Sequence, residues 1–183
     1  MEEKFNNFQQ EIQQLNEKAE KVQIENWTNM KMKDIVFDSN INKWKVDESE
    51  FDKLITNKQN LIFLIESHNN IKFGGFISSK IDKIDKWISD ENSFLFTFKD
   101  NKPMKFDVKK DFRKNQVFYL FQKSDNWLFQ IGHDIYICKQ NEKSTIYQNE
   151  HSSFDYQGIE EVLIGRTGGW CFSPKRIMVF QMK

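Results

Sequence analysis

The sequence predicts a mainly β domain, an antiparallel sandwich or barrel, with one amphipathic helix ahead of it. Three observations predict this. The first is the stretch LIFLIESHNNIKFGGF, Leu61 to Phe76. Its apolar run Leu61 to Ile65, polar turn Ser67-His68-Asn69-Asn70 and second run with Ile71 and Phe73 on one face make a hairpin pattern that breaks at Gly74-Gly75. The second is spacing. Roughly eight to ten short apolar or alternating runs recur every 8–12 residues, as in sandwiches and barrels. The third is residues 2–26, which contain neither Gly nor Pro and are rich in Glu, Gln and Lys, all good helix formers.

Within the helix, Phe5, Phe8, Ile12, Leu15, Ala19 and Val22 alternate spacings of three and four. That is an a/d heptad seam about three heptads long. The flanking Gln9, Glu11, Asn16, Lys18 and Gln23 provide few ion pairs. Residues 1–30 are therefore expected to form a helix that pairs as a homodimer or docks on a partner; the alternative is a helix laid against its own domain. Residues 31–183 carry the β domain.

Asp34 to Phe37 reads as a strand. In Val46-Asp47-Glu48-Ser49-Glu50-Phe51, Asp47 suits an N-cap, Glu50 its reciprocal partner and Val46 a staple onto Phe51. A short helix from Asp47 to about Asn57 is expected. After the hairpin, Ile81, Ile84, Trp87 and Ile88 fit a helical turn or compact loop. Ser93 to Phe98 has period two, with Phe94, Phe96 and Phe98 on one face. Asp100 to Pro103 is a turn, and Lys105 to Val108 a half-buried strand. Val117 to Phe121, Trp127 to Ile131 and Asp134 to Cys138 are further strands. Lys139 to Ser153 reads as a polar loop, Phe154 to Leu163 fits strand or helix, and Gly165 to Gly169 is a loop. Trp170 to Met182 closes the domain with strand character. Pro103 and Pro174 fall at strand edges or turns, where proline is tolerated.

Composition bounds the function. The 183 residues suit one domain plus an appended helix, and 38% hydrophobic residues with 18 Phe supply a real core. Basic and acidic residues both number 27, so no global field draws the chain to nucleic acid or membrane. Two cysteines make no disulfide scaffold and suit a reducing compartment. MEEKFNNFQQ has no apolar signal-peptide core, and no apolar run approaches the roughly 20 residues of a membrane span. A cytoplasmic protein is expected, with the nucleus as the other compatible compartment.

Candidate chemical groups are sparse. His133 stands beside Asp134, an acid/base pair in composition, but neighbours on a strand face opposite sides, so a turn histidine is the expectation. Cys138 and Cys171 are candidate redox thiols; their apolar, strand-like surroundings predict buried hydrophobes instead. No Cys-x-x-Cys, His-x-x-x-His or Gly-x-Ser-x-Gly occurs, and no Gly-Lys-Ser/Thr follows the Gly165 loop, so neither a metal nor a cofactor is expected. One charge anomaly remains, the basic stretch 99–114: Lys99, Lys102, Lys105, Lys109, Lys110, Arg113 and Lys114 against Asp100, Asp107 and Asp111, interleaved with Phe106 and Phe112. It suits an anionic partner, nucleic acid or an acidic protein face; the alternative is a solvated hairpin with its aromatics turned inward. Gly74-Gly75 is expected to let the sheet bend and a neighbouring aromatic pack.

Several blocks in order carry a family resemblance: Asp34-Ile35-Val36-Phe37-Asp38-Ser39 with Trp44, LIFLIESHNNIKFGGF with Trp87 and SFLFTF, WLFQIGHDIYI with Ser152-Ser153-Phe154, and CFSPKRIMVFQ. Over about residues 33–183 the chain resembles the TLDc domain of the oxidation-resistance proteins. The resemblance implies a sandwich of two antiparallel sheets with flanking helices. It also implies protection against oxidative stress and, as for several members, binding and regulation of the V-type proton ATPase, without an agreed catalytic site. Family members often close with an acidic residue in the final strand. Here that stretch reads Arg176-Ile177-Met178-Val179-Phe180, with no carboxylate. The expected function is thus a non-enzymatic protein-interaction module. The alternatives are a nucleic-acid-binding regulator using the basic stretch, and a redox-responsive or hydrolytic enzyme using Cys171 or His133.

Overall fold

The computed structural model of the chain describes residues 2–110, 116–163 and 170–183. Helix α1 (Glu2–Thr28) leads into β1 (Met32–Asp38) and a short helix α2 (Phe51–Ile55). The hairpin follows as β2 (Leu61–Ser67) and β3 (Lys72–Ile77), then β4 (Trp87–Ser89), β5 (Phe94–Thr97) and β6 (Met104–Asp107). The second half of the chain supplies β7 (Gln116–Leu120), β8 (Trp127–Ile131), β9 (Ile135–Cys138), β10 (Ser144–Ile146), β11 (Trp170–Phe172) and β12 (Pro174–Met182).

These strands make two antiparallel six-stranded sheets, ordered β1-β12-β2-β3-β5-β6 and β11-β10-β9-β8-β7-β4. The expected two-sheet sandwich is the fold. Alternation along each strand sends one set of side chains between the sheets. Phe63 from the first sheet meets Phe118 and Phe129 from the second at 4.8 and 5.0 Å between ring centroids. Phe51 of α2 enters from the side, edge-on to Phe37 at 4.8 Å and stacked on Phe129 at 5.3 Å. The intervening residues of the first sheet, Ile62, Leu64, Phe94 and Phe96, face outward into a second apolar cluster that α1 covers.

Trp87–Ser89 is strand β4, not the helical turn or loop expected there, and four other local expectations change. First, β3 does not break at Gly74-Gly75; its register with β2 runs unshifted from Leu61↔Ile77 to Glu66↔Lys72. A Cβ on Gly74 would lie 1.8 Å from the Phe63 carbonyl oxygen, so the bare Cα is what admits the neighbouring strand. Second, α2 starts four residues later than the capping box predicts. Asp47 takes φ 61°, outside the geometry of an N-cap, and Glu50 precedes the helix with no side-chain cap. The Ser49 hydroxyl accepts from the Phe51 amide at 3.2 Å instead. Third, the supposed polar loop after Lys139 contains β10. Its one large apolar residue, Ile146, is too weak a pattern to announce a strand. Backbone pairing on both sides and the buried Ser144 hydroxyl, which accepts from the Cys138 amide at 3.0 Å, hold it. Fourth, the closing segment is two strands in different sheets: β11 pairs with β10, whereas β12 lies between β1 and β2. Pro174 opens β12, a position that needs no ladder donor. The Gly165 to Gly169 loop lies outside the described residues.

Candidate functional site

Helix α1 has two working faces. Ile24 is 1% exposed, and Trp27 packs on the Phe94, Phe96 and Phe98 rings at 6.0, 6.0 and 5.8 Å. Glu20 pairs with Lys72 at 2.7 Å. At about 100° per residue, Gln13, Glu17, Glu20 and Ile24 share one side of the helix, while Ile12, Leu15, Ala19 and Val22 share the other. The heptad seam is therefore turned away from the docked side, with Ala19 at the rim of a small groove it shares with Phe98 and Pro103. Leu15 is 66% exposed, Val22 49% and Ile12 38%, and Ala19 is exposed as well. The side chains of Phe5 and Phe8 lie outside the described residues. The helix lies on its own sheet as the alternative expectation had it, but by a face that is not the seam.

The end of α1 is clamped. Lys31 and Lys183 exchange backbone hydrogen bonds of 2.6 and 2.9 Å, and Glu25 accepts from the Lys31 ammonium at 2.7 Å and the Met32 amide at 3.0 Å. The Lys31 bond chiefly lowers the Glu25 pKa below the usual carboxylate value. Beside this clamp a groove of about 870 Å³ opens between the helix end and the β5–β6 edge of the first sheet. Trp27, Met30, Phe76 and Phe94 line its apolar part.

Three residues of the basic stretch, Lys105, Lys109 and Lys110, line the same groove. Lys105 bonds Asp107 at 2.7 Å and lies 4.8 Å over the Phe94 ring. Lys99 instead donates to the Glu161 carbonyl at 3.0 Å, and Lys102 is exposed on the preceding turn. Phe106 is buried against Tyr156 at 5.0 Å, so this aromatic belongs to the core. Phe112, Arg113 and Lys114 lie outside the described residues.

His133 and Asp134 are turned to different partners. The imidazole Nδ1 is 3.3 Å from the Tyr136 hydroxyl, and the ring lies 5.3 Å from Trp87. The fully buried Asp134 carboxylate accepts from the Ser153 amide and the Tyr156 hydroxyl, both at 2.8 Å. Burial dominates and raises its pKa to about 7. Cys138 is buried, and desolvation chiefly pushes its thiol up to about 12, which leaves little thiolate for redox chemistry. Cys171 is exposed, contrary to the buried expectation. It sits on β11, the edge of its sheet, with its sulfur 3.8 Å from the Thr145 hydroxyl. No group of three or more His, Cys, Asp and Glu suited to a metal occurs among the described residues.

A family model for the TLDc domain matches residues 8–162. The chain belongs to the TLDc domain family. None of the curated proteins matches it. The family match begins inside α1 and takes in every strand through β10. Among the described residues of this TLDc protein, no helix is long and apolar enough to cross a membrane.

Sequence reasoning missed three positions in the TLDc domain. Trp27 lies outside the heptad seam, yet it fastens α1 to the sheet; the triplet Phe94, Phe96, Phe98 signalled an apolar face needing a cover. Lys139 looked like surface but is 1% exposed, its ammonium donating to the carbonyls of Gln122, Lys123 and Asp125. Burial lowers its pKa. Arg176, on β12, forms a two-pronged pair with Asp38 at 3.1 and 2.6 Å. That bond chiefly lowers the Asp38 pKa.

Proposed function

We propose that this TLDc protein is a non-enzymatic protein-interaction module that works in oxidative-stress protection or in regulation of the V-type proton ATPase, in the cytoplasm. The observation that carries the interaction role is the outward seam of α1. Ile12, Leu15, Ala19 and Val22 remain exposed on a helix whose opposite side is already seated on its own sheet. A seam about three heptads long is marginal alone and gains stability by burial against another surface. The ATPase comes from family resemblance, and affinity capture from cell extract tests it. The full chain is expected to enrich ATPase subunits; enrichment of other proteins without them removes that partner.

The occupant of the seam is a second copy of the chain. Spacings of three and four are self-complementary, and a parallel in-register pair places Glu11 beside Asn16 and Lys18 beside Gln23 of the other copy, with no like charges opposed. Sedimentation should show a concentration-dependent dimer that Leu15→Asp converts to monomer. A wild-type chain that stays monomeric at every concentration overturns the dimer.

A further inference from the structure

We propose that the groove at the end of α1 is a docking site for a short acidic peptide segment carrying an apolar anchor residue. This rests on the interaction-module function and specifies where and what the module binds.

Three features point to that occupant. The volume of about 870 Å³ falls within the range of ligand sites and holds a few side chains of an extended segment. Its apolar part, formed by Trp27, Met30, Phe76 and Phe94, matches a branched aliphatic or aromatic side chain. Its charged wall sets Lys105, Lys109 and Lys110 against Glu91 and Asp107. Lys105 is already held by Asp107, but Lys109 and Lys110 have no ion-pair partner among the described residues. Two ammonium groups beside an apolar cleft complement carboxylates flanking an anchor residue.

Nucleic acid fits less well. Among the described lining residues two lysines lack an ion-pair partner, few counter-charges for a continuous phosphate backbone, whereas a peptide needs its carboxylates only where those lysines are. The other large groove, about 520 Å³ between α1 and β12, differs in kind. Its lining sets Lys21, Lys72, Lys175 and Arg176 against Glu17, Glu20 and Glu66, and the pairs Glu20–Lys72, Glu66–Lys175 and Asp38–Arg176 leave Lys21 balanced by Glu17.

The test is fluorescence anisotropy of the full chain with a labelled synthetic peptide of about ten residues, a Leu-Phe pair flanked by glutamates. Saturable binding is expected, weakening as salt rises. Lys109→Glu with Lys110→Glu should reduce affinity at least about tenfold, as should replacing the peptide's glutamates by glutamines. Met30→Glu, at a partly exposed position on the floor, should reduce it similarly. Lys43→Glu with Lys45→Glu makes the same charge change at exposed positions on the β1–α2 loop and should leave binding within about twofold. A thermal melt of each variant confirms folding. Absence of saturable binding overturns the proposal, as does equal loss with both lysine pairs. Preferential binding of a single-stranded RNA 20-mer through the same lysines also overturns it, in favour of nucleic acid. Capture separates this from the broader function: a Lys109→Glu, Lys110→Glu chain that retains every wild-type partner refutes the groove alone, whereas a wild-type chain that captures no protein refutes the module itself.

Discussion

Asp134 shows how one residue ties burial to pH. Its carboxylate joins the β8–β9 turn to the segment at Ser153 and Tyr156, without solvent exposure. Its pKa rises to about 7 from the ordinary 3.8, so the folded state holds a proton that the unfolded chain has released over that interval. Stability from this group is complete below about pH 4 and is lost as pH rises through about 7, a fall on the order of 4 kcal/mol. Urea midpoints across that range should decline in the wild type, and Asp134→Asn should flatten the decline. A variant with the wild-type slope places the titrating group elsewhere. The adjacent glycines provide a second contrast. Gly74→Ala puts a methyl 1.8 Å from a backbone oxygen that cannot move without its strand, whereas at Gly75 the nearest atoms are the side-chain ends of Ile131 and Leu95, at 3.1 and 3.2 Å. Chemical denaturation should show a loss above about 3 kcal/mol for Gly74→Ala and nearer 1 kcal/mol for Gly75→Ala.

Helix α1 has two faces whose apolar content differs in pattern. The seam has the regular spacing that sequence periodicity detects, while the docked face holds only Ile24 and Trp27 among polar residues such as Glu17 and Glu20. Attachment depends on those two side chains, the clamp at Lys31 and the Glu20–Lys72 pair. Trp27→Ala should lower stability by about 2–3 kcal/mol and release the helix. Hydrogen exchange should then quicken across α1 while β2 and β3 keep their protection; unchanged exchange would mean that other contacts hold the helix. A similar lesson comes from β10. Ser144 and Thr145 are buried through backbone pairing and a hydroxyl bond to the Cys138 amide, which hydropathy cannot register.

The sheets of the whole molecule share one core, and the rings of Phe51, Phe63, Phe118 and Phe129 cross between them. Phe129→Ala should cost about 3–5 kcal/mol. It should preserve a single unfolding transition, with tryptophan fluorescence and far-ultraviolet dichroism coincident. Two separate transitions would show that the sheets fold independently. By itself the sequence determined the β class, most strand positions, the central hairpin and the amphipathic helix, because period-two and heptad patterns are local consequences of what a strand or helix buries. Tertiary structure alone decided that the seam faces away from the sheet, that Asp134 and Lys139 are enclosed, that Cys171 is not, and that three lysines of the basic stretch meet Trp27 across a groove. Those outcomes depend on residues far apart in the chain arriving beside one another, and the order of strands across a sheet leaves no trace in local spacing.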